Sequence, residues 1–466
     1  MKTNFTYLTF AFLFLTQFGI AQPCWMEMKG GRIHSVALRA DHTLWIWGGN
    51  SNHQLGNGTT TASTNPIQVG TDSDWAQVAV GDYWTLAIKS DGTLWAWGEN
   101  HLGFLGNGTR NEITVPTQIG TDSDWRMVTT GRFHSMAIKT NGTLWGWGQN
   151  ADGNIGDGTL IDRLVPTQIG TANDWQNIYQ GYYHSFGIKT NGSLWGWGFN
   201  AYGSLGDGTN VDKIVPTQIG TGTNWAQISG GNAHSIAVKT DGTLWSTGVN
   251  TIGQLGDGTT VDKNTWTQIA IAGTFTKVAT GVGHNVALRS DGTIWEWGLN
   301  NAGQIGNGTR DNFVGVLSPI QVGSGTNWMS VAVGSHNTFA MTTAGANWSW
   351  GLNFGFLLGI GNTADYVLFP SSVNNCRTLD NEEITLNADS AKLYPNPAND
   401  FVTIETNQTP IQNIELFDIQ GRLINSETLT SPANQHQLNV SQLVKGTYLI
   451  KITAGEKLQN IKLLKN

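Results

Sequence analysis

Asn141 to Thr159 reads NGTLWGWGQNADGNIGDGT, two tryptophans and six glycines in nineteen residues. Nearly the same phrase stands at 91–109 (DGTLWAWGENHLGFLGNGT), at 191–209 and at 241–259, a period of 50 residues. A fixed period of this length is the mark of a repeat architecture, in which each unit buries its apolar face against the next. Laid over itself, the chain shows three tryptophan columns. The first holds Trp45, Trp95, Trp145, Trp195, Trp245, Trp295 and Trp348. The second holds Trp47, Trp97, Trp147, Trp197, Trp297 and Trp350, with Thr247 in the fifth place. The third holds Trp25, Trp75, Trp125, Trp175, Trp225 and Trp328, with Phe275 in the sixth. These columns take 19 of the 21 tryptophans, leaving only Trp84 and Trp266. A residue type so confined to repeat positions is packing between units, not chemistry.

Each unit reads as four short strands, for example DWRMVTTG, HSMAIK, TLWGWG and PTQIG around Trp125. Asp91-Gly92, Asn141-Gly142, Asn191-Gly192, Asp241-Gly242 and Asp291-Gly292 separate the second run from the third, and such a pair predicts a type I′ hairpin turn. Pro66, Pro116, Pro166 and Pro216 mark the start of the fourth. Seven four-stranded sheets arranged radially make an all-β, seven-bladed β-propeller. Composition agrees: glycine is high at 60 residues and charged residues are scarce at 12%, as in turn-rich β proteins. The formal net charge of −8 argues against generic nucleic-acid binding, because phosphate backbones repel such a surface.

The repeat HSxAIKTDGTLWxWGxNxxGQLGDGT resembles that of the regulator of chromosome condensation family. The resemblance runs over residues 24–376 and implies a seven-bladed propeller. It says less about activity, since one fold hosts unrelated functions.

Two further segments flank the repeats. Lys2, the apolar run Leu8–Ile20 and the small residues Gly19 and Ala21 predict a secretory signal over 1–21, too short for a membrane span, and no later run is long enough to be one. After the propeller (22–376) and a polar linker (377–390), residues 391–466 change pattern. Tyr394-Pro395-Asn396-Pro397, Asp418 to Gly421, Leu443, Gly446-Thr447-Tyr448 and Lys462 to Lys465 resemble the type A C-terminal sorting domain of type IX secretion cargo, a small β-sandwich-like module. That resemblance implies the type IX machinery as a partner, a Bacteroidota-type source, and a location at the cell surface or in the medium. An adhesive β-sandwich is the alternative.

The ring must close. By repeat phase, PSSV (370–373) should lie beside the strand that begins at Trp25. Were the chain continuous there, Cys24 and Cys376 would stand roughly 6–7 Å apart, within reach of a disulfide, which persists outside the cytoplasm. Closing so long a loop is worth on the order of 5 kcal/mol in the chain-entropy model. Two unpaired thiols are the other reading.

Among residues that look chemical, His34, His134, His184, His234 and His284 form a column completed by Trp84 and Asn337. Side chains on separate blades do not converge on one ion at bonding distance, and replacement by Trp or Asn points to structure, so no metal or other cofactor is expected. His-Ser neighbours such as His134-Ser135 point to opposite faces of a strand and form no catalytic dyad. Asp157, Asp207 and Asp257 alternate with Asn57, Asn107 and Asn307, which indicates turn-forming work rather than acid–base or calcium chemistry.

Recognition is expected where the repeats disagree. The positions before the histidine column vary most: Arg32, Asp82, Tyr83, Arg132, Phe133, Tyr182 and Tyr183, with Trp84 adjacent, against small residues in units five and six. At one strand connection in successive blades, they form one candidate patch, of the composition protein hot spots and sugar-stacking sites use. Filling of the core beneath the face is the competing reading for Tyr83, Phe133 and Tyr183. A second variable set, Glu99, His101, Phe104, Phe199 and Tyr202, is assigned to the opposite face. The function these readings support is a secreted, non-enzymatic binding propeller for a protein or glycan ligand. Guanine-nucleotide exchange, the activity of the family's namesake, and a polysaccharide-acting enzyme are the alternatives; no catalytic set is identified.

Overall fold

The computed structural model describes residues 25–373, 391–406, 409–418, 423–454 and 457–466, the last segment by its backbone alone up to 460. The predicted signal segment 1–21, Cys24, Cys376, the linker 377–390 and Ile419 to Gly421 lie outside the described residues. Every regular element described is a β-strand. The chain divides into two compact units, Met1–Thr378 and Leu379–Asn466.

The first unit contains seven four-stranded antiparallel sheets, each made of four consecutive strands in chain order. The strand carrying the third tryptophan column is innermost, and the seven such strands, from Trp25–Gly30 to Trp328–Val333, touch one another around the axis. The fourth strand of each blade lies at the outer rim. Pro66 and its counterparts stand inside this strand, not at its start, in a bulge opposite the register shift between Ile46 and Gly48. Proline is tolerated there because an edge strand has no neighbour for its missing N–H.

Ring closure departs from expectation. The strand Tyr366–Ser372 pairs with Asn347–Leu352 of its own blade, while Trp25–Gly30 pairs with His34–Arg39, so the two ends belong to different sheets. The first and last blades are held instead by the contacts that join every other pair. At each interface a loop carbonyl of one blade accepts a hydrogen bond from a side chain on the second strand of the next. Ser135 Oγ donates to Phe104 O at 3.0 Å, Ser185 Oγ to Asn154 O at 2.9 Å and Asn285 Nδ2 to Gln254 O at 2.8 Å. At five interfaces the same carbonyl also accepts from an indole N–H of the second tryptophan column, as Trp147 Nε1 does to Phe104 O at 2.7 Å. Blade 1 closes on blade 7 in the same way, Ser35 Oγ and Trp47 Nε1 donating to Leu357 O at 2.8 and 2.9 Å.

Two interfaces modify the pattern. In blade 5 the column tryptophan is Thr247, whose hydroxyl donates to Gly203 O at 2.8 Å. Trp266 replaces the rim proline there. Its ring packs on Trp225 and Phe186, its N–H reaches Leu205 O at 3.2 Å, and it covers Gly206 as column tryptophans cover the corresponding glycines elsewhere. The odd tryptophan thus compensates for the missing one. In blade 7, Trp350 Nε1 meets the Glu296 carboxyl at 3.4 Å, and burial holds that group well above the usual carboxylate range.

The hairpin turns form where Asx-Gly predicts them, with another geometry. Gly92 has φ 79°, whereas Asp91 does not enter the left-handed region, and Gly92 N donates to Lys89 O at 2.9 Å. This is a type I turn closed by a left-handed glycine, not a type I′ turn. Asp91 Oδ1 accepts from Thr93 N and Oγ1, and Thr93 Oγ1 in turn accepts from Trp95 Nε1 at 2.8 Å. The side-chain relay selects this turn. The GDGT loops are organised similarly: Asn150 Nδ2 donates to Asp157 Oδ1 at 3.0 Å, while its Oδ1 accepts from Ile155 N at 2.9 Å. The second oxygen of Asp157 takes Arg163 Nε at 2.6 Å, and that of Asp207 takes Lys213 Nζ at 3.0 Å. Where Asn57 and Asn107 stand, the partner positions hold Ser63 and Ile113, so the extra charge appears where a cation faces it.

The second unit packs a three-stranded sheet (Lys392–Tyr394, Phe401–Glu405, Gln435–Asn439) on a four-stranded one (Leu423–Ala433, Ile411–Asp418, Gly446–Ala454, Lys457–Lys465). Val402, Ile404 and Leu438 of one meet Ile414, Leu416, Ile450 and Ile452 of the other, a sandwich. Its motif residues hold this module together: Asn396 donates to Lys462 O and accepts from Leu464 N, both at 2.8 Å, and Tyr448 OH donates to Val444 O at 2.9 Å.

Trp266→Pro, which restores the residue of the other repeats, is expected to destabilise the propeller by about 2–4 kcal/mol by leaving no indole over Gly206. Adding Thr247→Trp should recover most of that loss in chemical denaturation. A double variant no more stable than the single one would refute the compensation.

Candidate functional site

The connections between first and second strands all emerge at one end of the ring. They begin with Gly31, Gly81, Gly131, Gly181, Gly231, Gly281 and Gly334, which encircle the axis so closely that a Cβ on Gly181 would come within 2.8 Å of Gly231 O. Backbone hydrogen bonds join the connections from blade 3 round to blade 1, as from Tyr182 N to Gly231 O at 2.9 Å and from Ser335 N to Gly31 O at 3.1 Å. Only glycine lets the seven turns approach this closely. The two residues after each glycine therefore stand as two concentric rings on a rigid base.

The inner ring holds Arg32, Asp82, Arg132, Tyr182, Asn232, Val282 and Ser335. Asp82 is buried, its side chain 6% exposed, with Arg132 Nε at 3.3 Å and Arg32 Nη1 at 3.5 Å. Burial raises its pKa to about 6, against the lowering pull of Arg132 and Arg32. Tyr182 reaches across the axis from blade 4 to blade 7, its hydroxyl 2.8 Å from Ser335 Oγ, over an axial cavity of about 120 Å³. Burial, with the charge of Asp82, holds this phenol above its ordinary value.

The outer ring carries Tyr83, Phe133 and Tyr183, all half-buried. Arg132 donates to Tyr183 OH at 2.5 Å and lies 4.7 Å from the Phe133 ring centre, while Arg32 lies 5.8 Å from Tyr83. Phe133 and Tyr183 are 5.9 Å apart, Tyr183 and Phe199 6.1 Å, Phe199 and Tyr202 5.9 Å. The aromatics form an arc over blades 2 to 4. Blades 5 and 6 offer only Ala233 and Gly283 at these positions.

Two sequence assignments need correction. Trp84 is fully buried, stacked 4.2 Å from Phe104 in the core between blades, and contributes nothing to the surface. It replaces a histidine in its column, and Phe104 supplies the apolar partner. The second variable set is on the same face, not the opposite one, because Phe199 N donates to Tyr183 O at 3.0 Å and Glu99 N to Tyr83 O at 3.0 Å. Phe199 and Tyr202 extend the arc, Phe104 supports it from below, and Glu99 and His101 pair at 2.9 Å. The competing readings of Tyr83, Phe133 and Tyr183 both have a share: all three are half-buried, and Phe133 packs against the core between blades 2 and 3. Ser335 and His336 belong to the rings as well. Their signal was the seventh repeat, where Asn337 holds the histidine position.

The histidine column is committed inside the molecule. His34, His134, His184, His234 and His284 are buried, and each approaches the next blade through Nε2: Thr85 at 2.9 Å, Ser185 at 2.8 Å, Ser235 at 2.9 Å, Asn285 at 2.9 Å and Thr338 at 3.3 Å. A His–Ser contact thus exists between blades, sealed from any substrate. Burial lowers these imidazoles to about 3, or about 4 for His234, so all are neutral bridges at physiological pH.

Known proteins agree with this architecture. Residues 18–314 match the RCC1-like domain, 291–341 the regulator of chromosome condensation (RCC1) repeat, and 392–466 the secretion system C-terminal sorting domain. Human WBSCR16 is similar in structure with a TM-score of 0.64 and 21% identity, over 72% of this chain and 94% of that one. Prp20p from Saccharomyces cerevisiae, reported with its binding properties to Gsp1p and histones, is similar with a TM-score of 0.65 and 21% identity, over 76% and 89%. No curated protein matches the chain. Among the described residues no helix is long and apolar enough to cross a membrane. With most of its length matched by that one family model, and its end by the sorting domain, the chain belongs to the RCC1-like domain family and carries a type IX secretion sorting domain.

Proposed function

We propose that this chain is a secreted or surface-held, non-enzymatic binding propeller, and that its recognition face is the ring end bearing Arg32, Asp82, Tyr83, Arg132, Phe133, Tyr182 and Tyr183. A protein or a glycan is the ligand class. Asp82 carries the reading. A carboxylate buried at neutral pH between two guanidiniums, at the positions where the seven copies vary most, costs stability and presents two cations. The other six blades cohere without a carboxylate at this position. The arc of half-exposed aromatics beside it supplies flat contact area of the kind recognition surfaces use. Asp82 is pinned by two arginines and the five column histidines are sealed below the face, so none of these is free to act as a general base. The sorting domain supports export to the surface or the medium.

Retention of the whole chain on glycan and cell-surface protein arrays tests the reading. Tyr183→Ala is expected to lower retention at least tenfold, with the melting temperature within a few degrees of the parent. Unchanged retention would refute this face.

The stability cost is separately measurable. The folded pKa of Asp82 is raised from 3.8 to about 6, so stability is lost as pH rises through that window. The depressed histidines act oppositely, losing stability as pH falls below their ordinary 6.5, but they are common to parent and variant. Asp82→Asn should therefore exceed the parent by about 1–3 kcal/mol at pH 8 in urea unfolding, the gap closing by pH 4. A variant less stable than the parent at pH 8 would show that Asp82 stabilises the ring.

A further inference from the structure

The ring end has a charge unlike that of the rest of the chain. The two rings hold two guanidiniums, the single carboxylate of Asp82, and His336, whose pKa is lowered by burial and by Arg32. The two rings alone carry one net positive charge in a protein of formal charge −8, and Glu99 on the same face is paired with His101 at 2.9 Å. Such a local reversal focuses an anion onto this spot. The donors of Arg32 are also largely unspent. Arg32 has a side chain 46% exposed and its recorded ion pair is the 3.5 Å contact with Asp82, so its fork is presented to solvent. Arg132, 27% exposed, is oriented by Asp82 on one edge and Tyr183 OH on the other. A planar carboxylate suits the Arg32 fork, because two parallel N–H donors meet its two oxygens, with the Arg132 charge beside it.

The shape narrows the ligand further. The axial cavity, at about 120 Å³, is well below the ~300–1,000 Å³ that small-molecule pockets enclose, so the ligand lies across the face and is not swallowed. Each guanidinium has a tyrosine beside it, Arg32 at 5.8 Å from Tyr83 and Arg132 at 5.7 Å from Tyr183. A cation beside a half-buried aromatic ring fits a sugar ring that carries its acid group at the edge. Resting on the recognition-face reading above, we infer that this end of the propeller binds hexuronate units of an acidic polysaccharide, the carboxylate on Arg32 and Arg132 and the pyranose ring against Tyr83 or Tyr183. The aromatic steps of about 6 Å through Phe199 to Tyr202 continue the platform for following sugars. A peptide carboxylate would use the arginines but leave that platform idle.

Calorimetric titration of the whole chain with oligogalacturonate, its methyl ester, a neutral cello-oligosaccharide and poly-L-glutamate tests this. Oligogalacturonate should bind, with an affinity that falls as salt rises, and the methyl ester and neutral sugar should bind at least tenfold more weakly. Arg32→Gln should cost at least tenfold, and Arg32→Lys should recover part of it. Equal binding of acid and ester would overturn the inference without reliance on any variant, and poly-L-glutamate binding as tightly as the uronate would assign the site to acidic proteins. If uronates fail but the arrays retain another ligand that Tyr183→Ala releases, the recognition face stands and the uronate inference alone falls. If no ligand is retained, both fall.

Discussion

A loop carbonyl that faces the next blade and takes hydrogen bonds from it is the contact on which this molecule depends. Phe104 O, accepting from Ser135 and Trp147 together, is the pattern. The donors lie on separate strands of the following sheet, so the contact fixes both the spacing and the rotation between blades. A buried hydrogen bond contributes only about 1 kcal/mol net, but leaving either partner unmet costs more, so each blade requires its neighbour. Repetition follows from that requirement. Ser35 and Trp47 meet Leu357 as their counterparts meet each other elsewhere, so a seventh blade leaves no unmatched interface and the ring needs no strand exchanged between its ends.

Against so regular a frame, departures have physical meaning, and they separate into two kinds. Some are repairs. Thr247 and Trp266 exchange an indole between the third and outer strands of one blade, and the space over Gly206 stays filled. Trp84 and Phe104 exchange a polar bridge for a stacked pair inside the core. Others repair nothing. Arg32, Asp82 and Arg132 bring charge to the axis end, and Tyr182 spans the axis to Ser335, where smaller residues would serve cohesion equally well. The glycine ring beneath holds these side chains on a stiff base, which is what recognition by preorganised groups needs.

The frame was legible because packing demands recur at every blade: tryptophan columns, histidines in register and Asx-Gly turns repeat as the interfaces repeat. The errors arose where one residue's partner lies on another blade or another loop. Trp84 beside a variable patch reads as surface until Phe104 is known to stack on it. Phe199 and Tyr202 read as belonging to the far face because strand direction alone does not show that their loop is tied back to the Tyr183 connection. The turn type failed for a different reason: the Asp91–Thr93–Trp95 relay outweighs the local preference of an Asx-Gly pair. Proline inside the rim strand was missed because a bulge depends on register, which residue identity does not reveal.

A saturation scan of the propeller, scored once for folded abundance at the cell surface and once for retention on the glycan and protein arrays, tests the division between cohesion and recognition most directly. Trp97, Ser135, His184 and Asn150 should lose abundance when changed, whereas Arg32, Tyr83 and Tyr183 should lose retention at normal abundance. If the ring-end residues instead lost abundance as severely as the columns, with no class of positions affecting retention alone, the face would be part of the scaffold and the account would be wrong.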